Sequence, residues 1–307
     1  MPIKDLIEQL SNIRDTDSLN NFHRWFWQWW HPKSKTMASE LNAKLMFRGD
    51  QVIQSDVGYL CVGRPTDIVL LSMNPGYDQE NNEKEMDSKK EVESYLNFVE
   101  NYFAEYPEIV KKKGRFWSNA IGFAARIGGS SGDPKGNNWK YAAGINKPEN
   151  WRSIAGWELF PFHSTSDGFS QHLSKALMGP YPSDSPESVV LWLAQASVQA
   201  LFRTAPKEII VASQQGVSLV YQALRDPKYL EDLKVDAVEW QEPFLAMGKK
   251  GAKKTPRVSC STVVLKHQSK KETIVHLIPR QLFSNFGSNG IDRTALIEQI
   301  QNSKLSL

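Results

Sequence analysis

The residues whose types and spacing suggest chemistry are Asn74-Pro75-Gly76-Tyr77, which follow Thr66-Asp67-Ile68-Val69-Leu70-Leu71-Ser72-Met73. The apolar, β-branched run has the composition of a strand buried on both faces. Pro75 removes a backbone donor and turns Asn74 away from helical dihedrals, while Gly76 admits positive φ or the close approach of a ligand. A buried strand ending in such a turn presents Asn74 at the carboxyl edge of a sheet, where open α/β folds place their ligands. Taken alone, the same tripeptide is also an ordinary strand-to-loop turn. Two basic clusters, Lys111-Lys112-Lys113-Gly114-Arg115 and Lys249-Lys250-Gly251-Ala252-Lys253-Lys254-Thr255-Pro256-Arg257, suit a polyanion or are solvated loops. The aromatic run Trp25-Phe26-Trp27-Gln28-Trp29-Trp30 suits core or interface packing, with base stacking as the alternative.

The elements that must position these residues follow from the hydrophobic pattern. Asp5 to about Leu45 reads as helical, as does Tyr95 to Tyr106, and Arg115-Phe116-Trp117 opens a helix with an apolar face. Ile154 to Phe162 has strand character and ends at His163. Ser188 to Thr204 is an apolar helix with Ser185 as its cap and Pro186 in its first turn. Lys207 to Ser213 is a second buried strand, followed by a helix from about Gly216. Ala237 to Met247 and Val258 to His267 read as a hairpin joined by the second basic cluster. Glu272 to Pro279 is a final strand, and a helix starts at Asp292. Strands alternating with helices indicate an α/β fold with a largely parallel sheet. One domain over 1–307 is expected, with helices over 1–60 and the hairpin of about 237–267 as additions. The chain of 307 residues carries a net charge of +3, with 40% apolar and 23% charged residues, values of a globular protein. No apolar run approaches the ~18 residues of a membrane helix, and Met1-Pro2-Ile3-Lys4-Asp5 begins no signal peptide, so a cytoplasmic location is expected. Cys61 and Cys260 lack metal-ligand spacing, which points away from a structural zinc.

Three segments, in order, resemble the uracil-DNA glycosylase superfamily. Ser72-Met73-Asn74-Pro75-Gly76 is similar to the Asn-Pro-Gly motif of its mismatch-specific and single-strand-selective branches. Arg115-Phe116-Trp117 is similar to the Phe-Trp segment of the mismatch-specific branch. Trp157-Glu158-Leu159-Phe160-Pro161-Phe162 resembles the strand that reads the base. The resemblance implies a three-layer αβα core around a mostly parallel four-stranded sheet, with the N-terminal helices and the hairpin added. It also implies a monofunctional, cofactor-free DNA glycosylase, acting as a monomer on double-stranded DNA, that flips out a base and hydrolyses its N-glycosidic bond. Bacterial members acting on modified phage DNA are one setting that fits; repair of uracil or thymine mismatches is another.

In this resemblance Asn74 orients the water that attacks the oxocarbenium-like sugar, and Asp78 is the alternative if a charged base is needed. Gly76 stands where the uracil-specific branch carries a blocking tyrosine, so the C5 side of a pyrimidine is open, and Tyr77 could partly refill it. Phe116 matches the aromatic that stacks on the flipped base, a contact of about 1–3 kcal/mol. Glu158 stands where the family has an Asn reading uracil. A carboxylate only accepts hydrogen bonds, which repels O4 of uracil or thymine and suits N4 of cytosine. Protonation of Glu158, or an ion pair with Arg152, would change that inference. The final loop departs from the family, since Ile278 stands where His or Asn supports the leaving base. His276 is the substitute on the same strand face, and His163 is a second candidate near the base. Arg280 suits a phosphate clamp, and Gln281 or Leu282 a wedge into the vacated stack. Lys112, Lys113, Arg115, Lys250 and Lys253 complete the expected DNA-binding set.

Overall fold

The computed structural model describes residues 2–46, 52–73, 88–105, 115–128, 153–164, 168–248, 258–280, 282–283 and 291–305. Asn74, Gly76, Tyr77, Asp78, Lys112, Lys113, Lys250, Lys253 and Gln281 lie outside these, as does the side chain of Arg115. The helices are α1 (Pro2–Ser11), α2 (Thr16–Trp30), α3 (Ser34–Lys44), α4 (Val92–Glu100), α5 (Tyr102–Glu105), α6 (Arg115–Ile127), α7 (Gly168–Ala176), α8 (Pro186–Thr204), α9 (Gln214–Ala223), α10 (Pro227–Asp232) and α11 (Arg293–Leu305). The strands are β1 (Cys61–Val62), β2 (Ile68–Ser72), β3 (Ile154–Glu158), β4 (Glu208–Val211), β5 (Val235–Trp240), β6 (Phe244–Leu245), β7 (Ser259–His267) and β8 (Glu272–Leu277). The fold is α/β.

The chain forms two compact units, interleaved in sequence: Met1–Val62 with Ser72–Glu100 and Trp157–Thr204, and Gly63–Leu71 with Asn101–Gly156 and Ala205–Leu307. In the second unit the strand order is β3-β2-β4-β8-β7-β5, with β6 also on β7. β2, β4 and β8 are parallel, with Leu70 opposite Ile210 and Ile210 opposite His276. Their residues are almost all buried, as the apolar runs require of strands covered on both faces. β8, β7 and β5 are antiparallel. The sheet is therefore mixed and longer than the mostly parallel four-stranded sheet expected from the sequence. The reason is local. Only Gln268-Ser269-Lys270-Lys271 joins β7 to β8, too few residues for a parallel crossover, and Lys270 adopts φ of 61° in that turn. The hairpin thus extends the sheet instead of standing apart from it, although β5 and β6 pair with β7 as its pattern predicts. Helix α11 packs on α6 in this unit.

In the first unit α1 and α7 pack on α8, and α2 packs on α4. Asp15 and Ser18 cap α2 reciprocally, each side chain bonding the other's N–H at 2.9 Å. The Ser185 hydroxyl accepts the Ser188 N–H at 3.2 Å, the cap expected for α8. The aromatic run forms core, as its ring sizes suggest: Trp30 lies 5.1 Å from Phe162, and Phe26 lies 6.0 Å from Phe162. Gly58 is a point of close backbone approach. Its carbonyl accepts the buried Tyr95 hydroxyl at 2.9 Å, and a Cβ on it would lie 2.1 Å from the Pro161 carbonyl oxygen. Gly58→Ala is therefore expected to cost about 1–3 kcal/mol, read as a lowered urea midpoint. An unchanged midpoint would show that the Pro161 backbone moves aside freely.

Candidate functional site

The candidate site begins where β2 and β3 end. The Leu159 N–H donates to the Ser72 carbonyl and the Phe160 N–H to the Met73 carbonyl, both at 3.0 Å. Asn74 follows Met73 directly in the chain, so the first and third motif segments belong to neighbouring strand ends. Glu158, the last residue of β3, is 3% exposed. Its N–H donates to the Leu60 carbonyl at 2.7 Å, and its carbonyl accepts the Ser197 hydroxyl at 3.0 Å. Ser197 in turn accepts the Trp157 indole N–H at 3.0 Å. The backbone of Glu158 is thereby held from β1 and from α8. Burial pushes the Cys61 thiol far above its ordinary range, and the negative charge of Glu158 adds to it. A carboxyl buried in this way accepts when ionised and can donate when protonated. Ser197 escaped the sequence reading. Its only signal was a hydroxyl on the apolar side of a helix.

His163 takes a different part from the base contact expected of it. Its ring is fully buried, with Nδ1 2.6 Å from Asp56 Oδ2 and its edge on Tyr59 at 5.6 Å. Burial alone would raise the Asp56 carboxyl, but the His163 charge and hydrogen bond, with Lys89, hold it down at about 2. His163 is a structural ion-pair partner, because a carboxylate buried 107 residues earlier in the chain requires one.

In the second unit His276 is also enclosed. Its Nε2 lies 3.2 Å from Glu208 Oε2, and its Nδ1 lies 3.3 Å from the Thr262 hydroxyl. A carboxylate can only accept, so Nε2 carries the proton. Lys304 of α11 donates to the same Glu208 oxygen, and to the Ile127 carbonyl at 3.1 Å. Both ring nitrogens are committed, which replaces the catalytic role expected of His276 by a structural one. Burial lowers the His276 pKa, more than the Glu208 hydrogen bond raises it. Burial would raise Glu208, but the His276 hydrogen bond and the Lys304 charge hold it at about 2. Glu208 and Lys304 stand 96 residues apart, so local pattern gave no sign of their pairing.

Phe116 opens α6 partly exposed, edge-on to Trp117 at 5.2 Å and Phe283 at 6.1 Å, and Trp117 is buried core as its neighbours suggest. Arg280 is exposed, with its N–H on the Ile278 carbonyl at 2.6 Å. Leu282 is fully buried, which corrects its assignment as a DNA wedge: an apolar side chain next to a strand end gains more from core burial. Ile278 is likewise buried, with its N–H on the Val211 carbonyl at 2.9 Å. No group of three or more His, Cys, Asp or Glu able to hold a metal ion occurs among the described residues. No helix among them is long and apolar enough to cross a membrane. Compared with known proteins, the chain matches no family model, no curated protein and no solved structure.

The buried groups set an acid response. Glu208 folds with its pKa below the ordinary 4.5, so its stabilisation is present above that value and is lost as pH falls toward about 2. His276 and His23 also fold below the ordinary 6.5, His23 at about 3 through burial, so their loss begins as pH drops below 6.5. Glu208→Gln should cost about 3–5 kcal/mol at pH 7, where it strands the Lys304 charge, and should flatten the dependence between pH 4.5 and 2. Urea midpoints at pH 7, 5 and 3 test this. A variant as acid-sensitive as the parent would remove Glu208 from the account.

Proposed function

We propose that the protein is a monofunctional DNA glycosylase that hydrolytically excises a modified pyrimidine from double-stranded DNA, leaving an abasic site. Its α/β fold would be a three-layer αβα core of the uracil-DNA glycosylase type. The observation that carries this proposal is the bonding of Leu159 and Phe160 to Ser72 and Met73, which sets the two residues before the Asn-Pro-Gly motif beside the chain that follows Glu158. Asn74 orients the attacking water, and Gly76 with Tyr77 leaves room beside C5 of the base. In its ionised form Glu158 only accepts, which favours the N4 amine of cytosine over O4 of uracil or thymine. The substrate class is a C5-modified cytosine, such as 5-hydroxymethylcytosine with or without glucose. Removing it from foreign DNA in the cytoplasm, by a monomer needing no cofactor, is a role consistent with that substrate.

A second function, sensing modified DNA without cleaving it, is favoured by one observation. Ile278 is apolar and buried at the position where a polar side chain would support the leaving base. Binding with a steep salt dependence but no base release would select it.

The test is a panel of duplex oligonucleotides bearing uracil, a thymine mismatch, 5-hydroxymethylcytosine or its glucosylated form. Abasic sites are expected with the cytosine derivatives. Asn74→Ala should slow their formation at least about 100-fold while duplex binding holds. Glu158→Asn should weaken excision of the cytosine derivatives and admit uracil. No abasic site on any duplex, from folded protein, would overturn the proposal.

A further inference from the structure

From α8, the Ser197 side chain reaches the strand that carries Glu158, and its hydroxyl has two partners there. It donates to the Glu158 carbonyl at 3.0 Å and accepts the Trp157 indole N–H at 3.0 Å. Ser197 and Trp157 are fully buried. A hydroxyl in a helix interior otherwise points to solvent or bonds back to a carbonyl of its own preceding turn. Here its single proton goes to a neighbouring strand instead. Ser197, Trp157 and Glu158 all belong to the first unit, where α1 and α7 pack on α8 and make it a firm support.

Three bonds hold the main chain at Glu158. Its N–H donates to the Leu60 carbonyl at 2.7 Å, its carbonyl accepts the Ser197 hydroxyl, and the next N–H, of Leu159, donates to the Ser72 carbonyl at 3.0 Å. Two of the three run between backbone groups and form with almost any side chain. The third depends on the hydroxyl of Ser197, so it is the one through which residue type sets the local geometry. Successive side chains of a strand point to opposite faces. The Trp157 indole turns to α8, which sends the Glu158 side chain to the other face of β3. Hydrogen bonds weaken steeply as they bend, so a carboxyl reads a base edge only when its direction is fixed.

We propose that Ser197 is a positioning residue for base selectivity. Its hydroxyl clamps Trp157 and Glu158 together against α8, and thereby sets the direction in which the Glu158 carboxyl meets the base. This role rests on Glu158 reading the base, as proposed above. Ser197 itself touches neither base nor phosphate, so its loss loosens selectivity and leaves duplex binding in place.

Base release and equilibrium binding on duplexes bearing 5-hydroxymethylcytosine or uracil test it. In Ser197→Ala the ratio of cytosine-derivative to uracil release should fall about tenfold, the scale of one lost buried hydrogen bond. Affinity for an unmodified duplex should hold. Ser197→Thr, which retains the hydroxyl, should keep the parent ratio. In a Glu158→Ala background the Ser197→Ala change should leave the ratio unmoved, since no carboxyl remains to be aimed. Val220→Ala, a buried change in α9 of the second unit, controls for lost stability and should also keep the ratio. Circular dichroism establishes that each variant is folded. If Ser197→Ala does not fold, Trp157→Phe, which removes the other half of the clamp, is read in its place, with a smaller fall expected. An unchanged ratio in the folded clamp variant overturns the role. So does an equal fall in Val220→Ala or Ser197→Thr, or the same fall without the Glu158 carboxyl. A parent that releases no base but binds the two duplexes unequally ends the glycosylase proposal, and the ratio of affinities then reads Ser197 in the same way. A parent that distinguishes the bases neither in release nor in affinity overturns both.

Discussion

Two backbone hydrogen bonds carry the candidate site, those from Leu159 to Ser72 and from Phe160 to Met73. They continue the pairing of β2 and β3 to the residue before Asn74. A sheet edge is the one place where a buried strand can hand its chain to a polar loop without leaving backbone groups unpaired inside the core. Everything proposed for Asn74 and Glu158 depends on that register, because a slip of one residue would turn Glu158 to the opposite face. The Ser197 hydroxyl guards it by bonding both the Glu158 carbonyl and the Trp157 indole.

Each unit also encloses a carboxylate with an imidazole: Asp56 with His163 in the first, and Glu208 with His276 in the second. Buried ions are costly unless paired and hydrogen-bonded, so such pairs contribute little net stability while intact and a large penalty when one partner is lost. Their value is positional. The Asp56–His163 pair joins the chain before β1 to the chain after β3, and Glu208, His276 and Lys304 fasten α11 across β4 and β8. His276, read from the sequence as catalytic, and His163, read as a base contact, thus each face a buried carboxylate.

The legible part of the fold was the part governed by local pattern. The buried runs at Ile68, Ile154 and Ile209 are strands, the capped apolar stretch after Ser185 is a helix, and the segments around Ala237 and Val258 pair as a hairpin. What misled was the assumption that a hairpin is an appendage. Its strand β7 pairs with β8 through a four-residue connection, and the sheet became mixed. Pattern shows that a strand is buried, but it does not show which strand lies beside it.

The same division holds for the site. By itself the sequence determined which side chains were chemically suited to act: an amide opening an Asn-Pro-Gly sequence, a carboxyl in an apolar strand, and an aromatic at a helix start. Those properties belong to single residues and their immediate neighbours. Only the tertiary structure decided that Glu158 sits beside the strand leading to Asn74, that His163, His276 and Leu282 are buried in packing and ion pairs, and that the Trp27 and Trp30 indoles bond the backbone of Lys89, Ser55 and Asp56. The physical reason is separation. Burial and pairing join residues tens to about a hundred positions apart, and that distance leaves no trace in local periodicity.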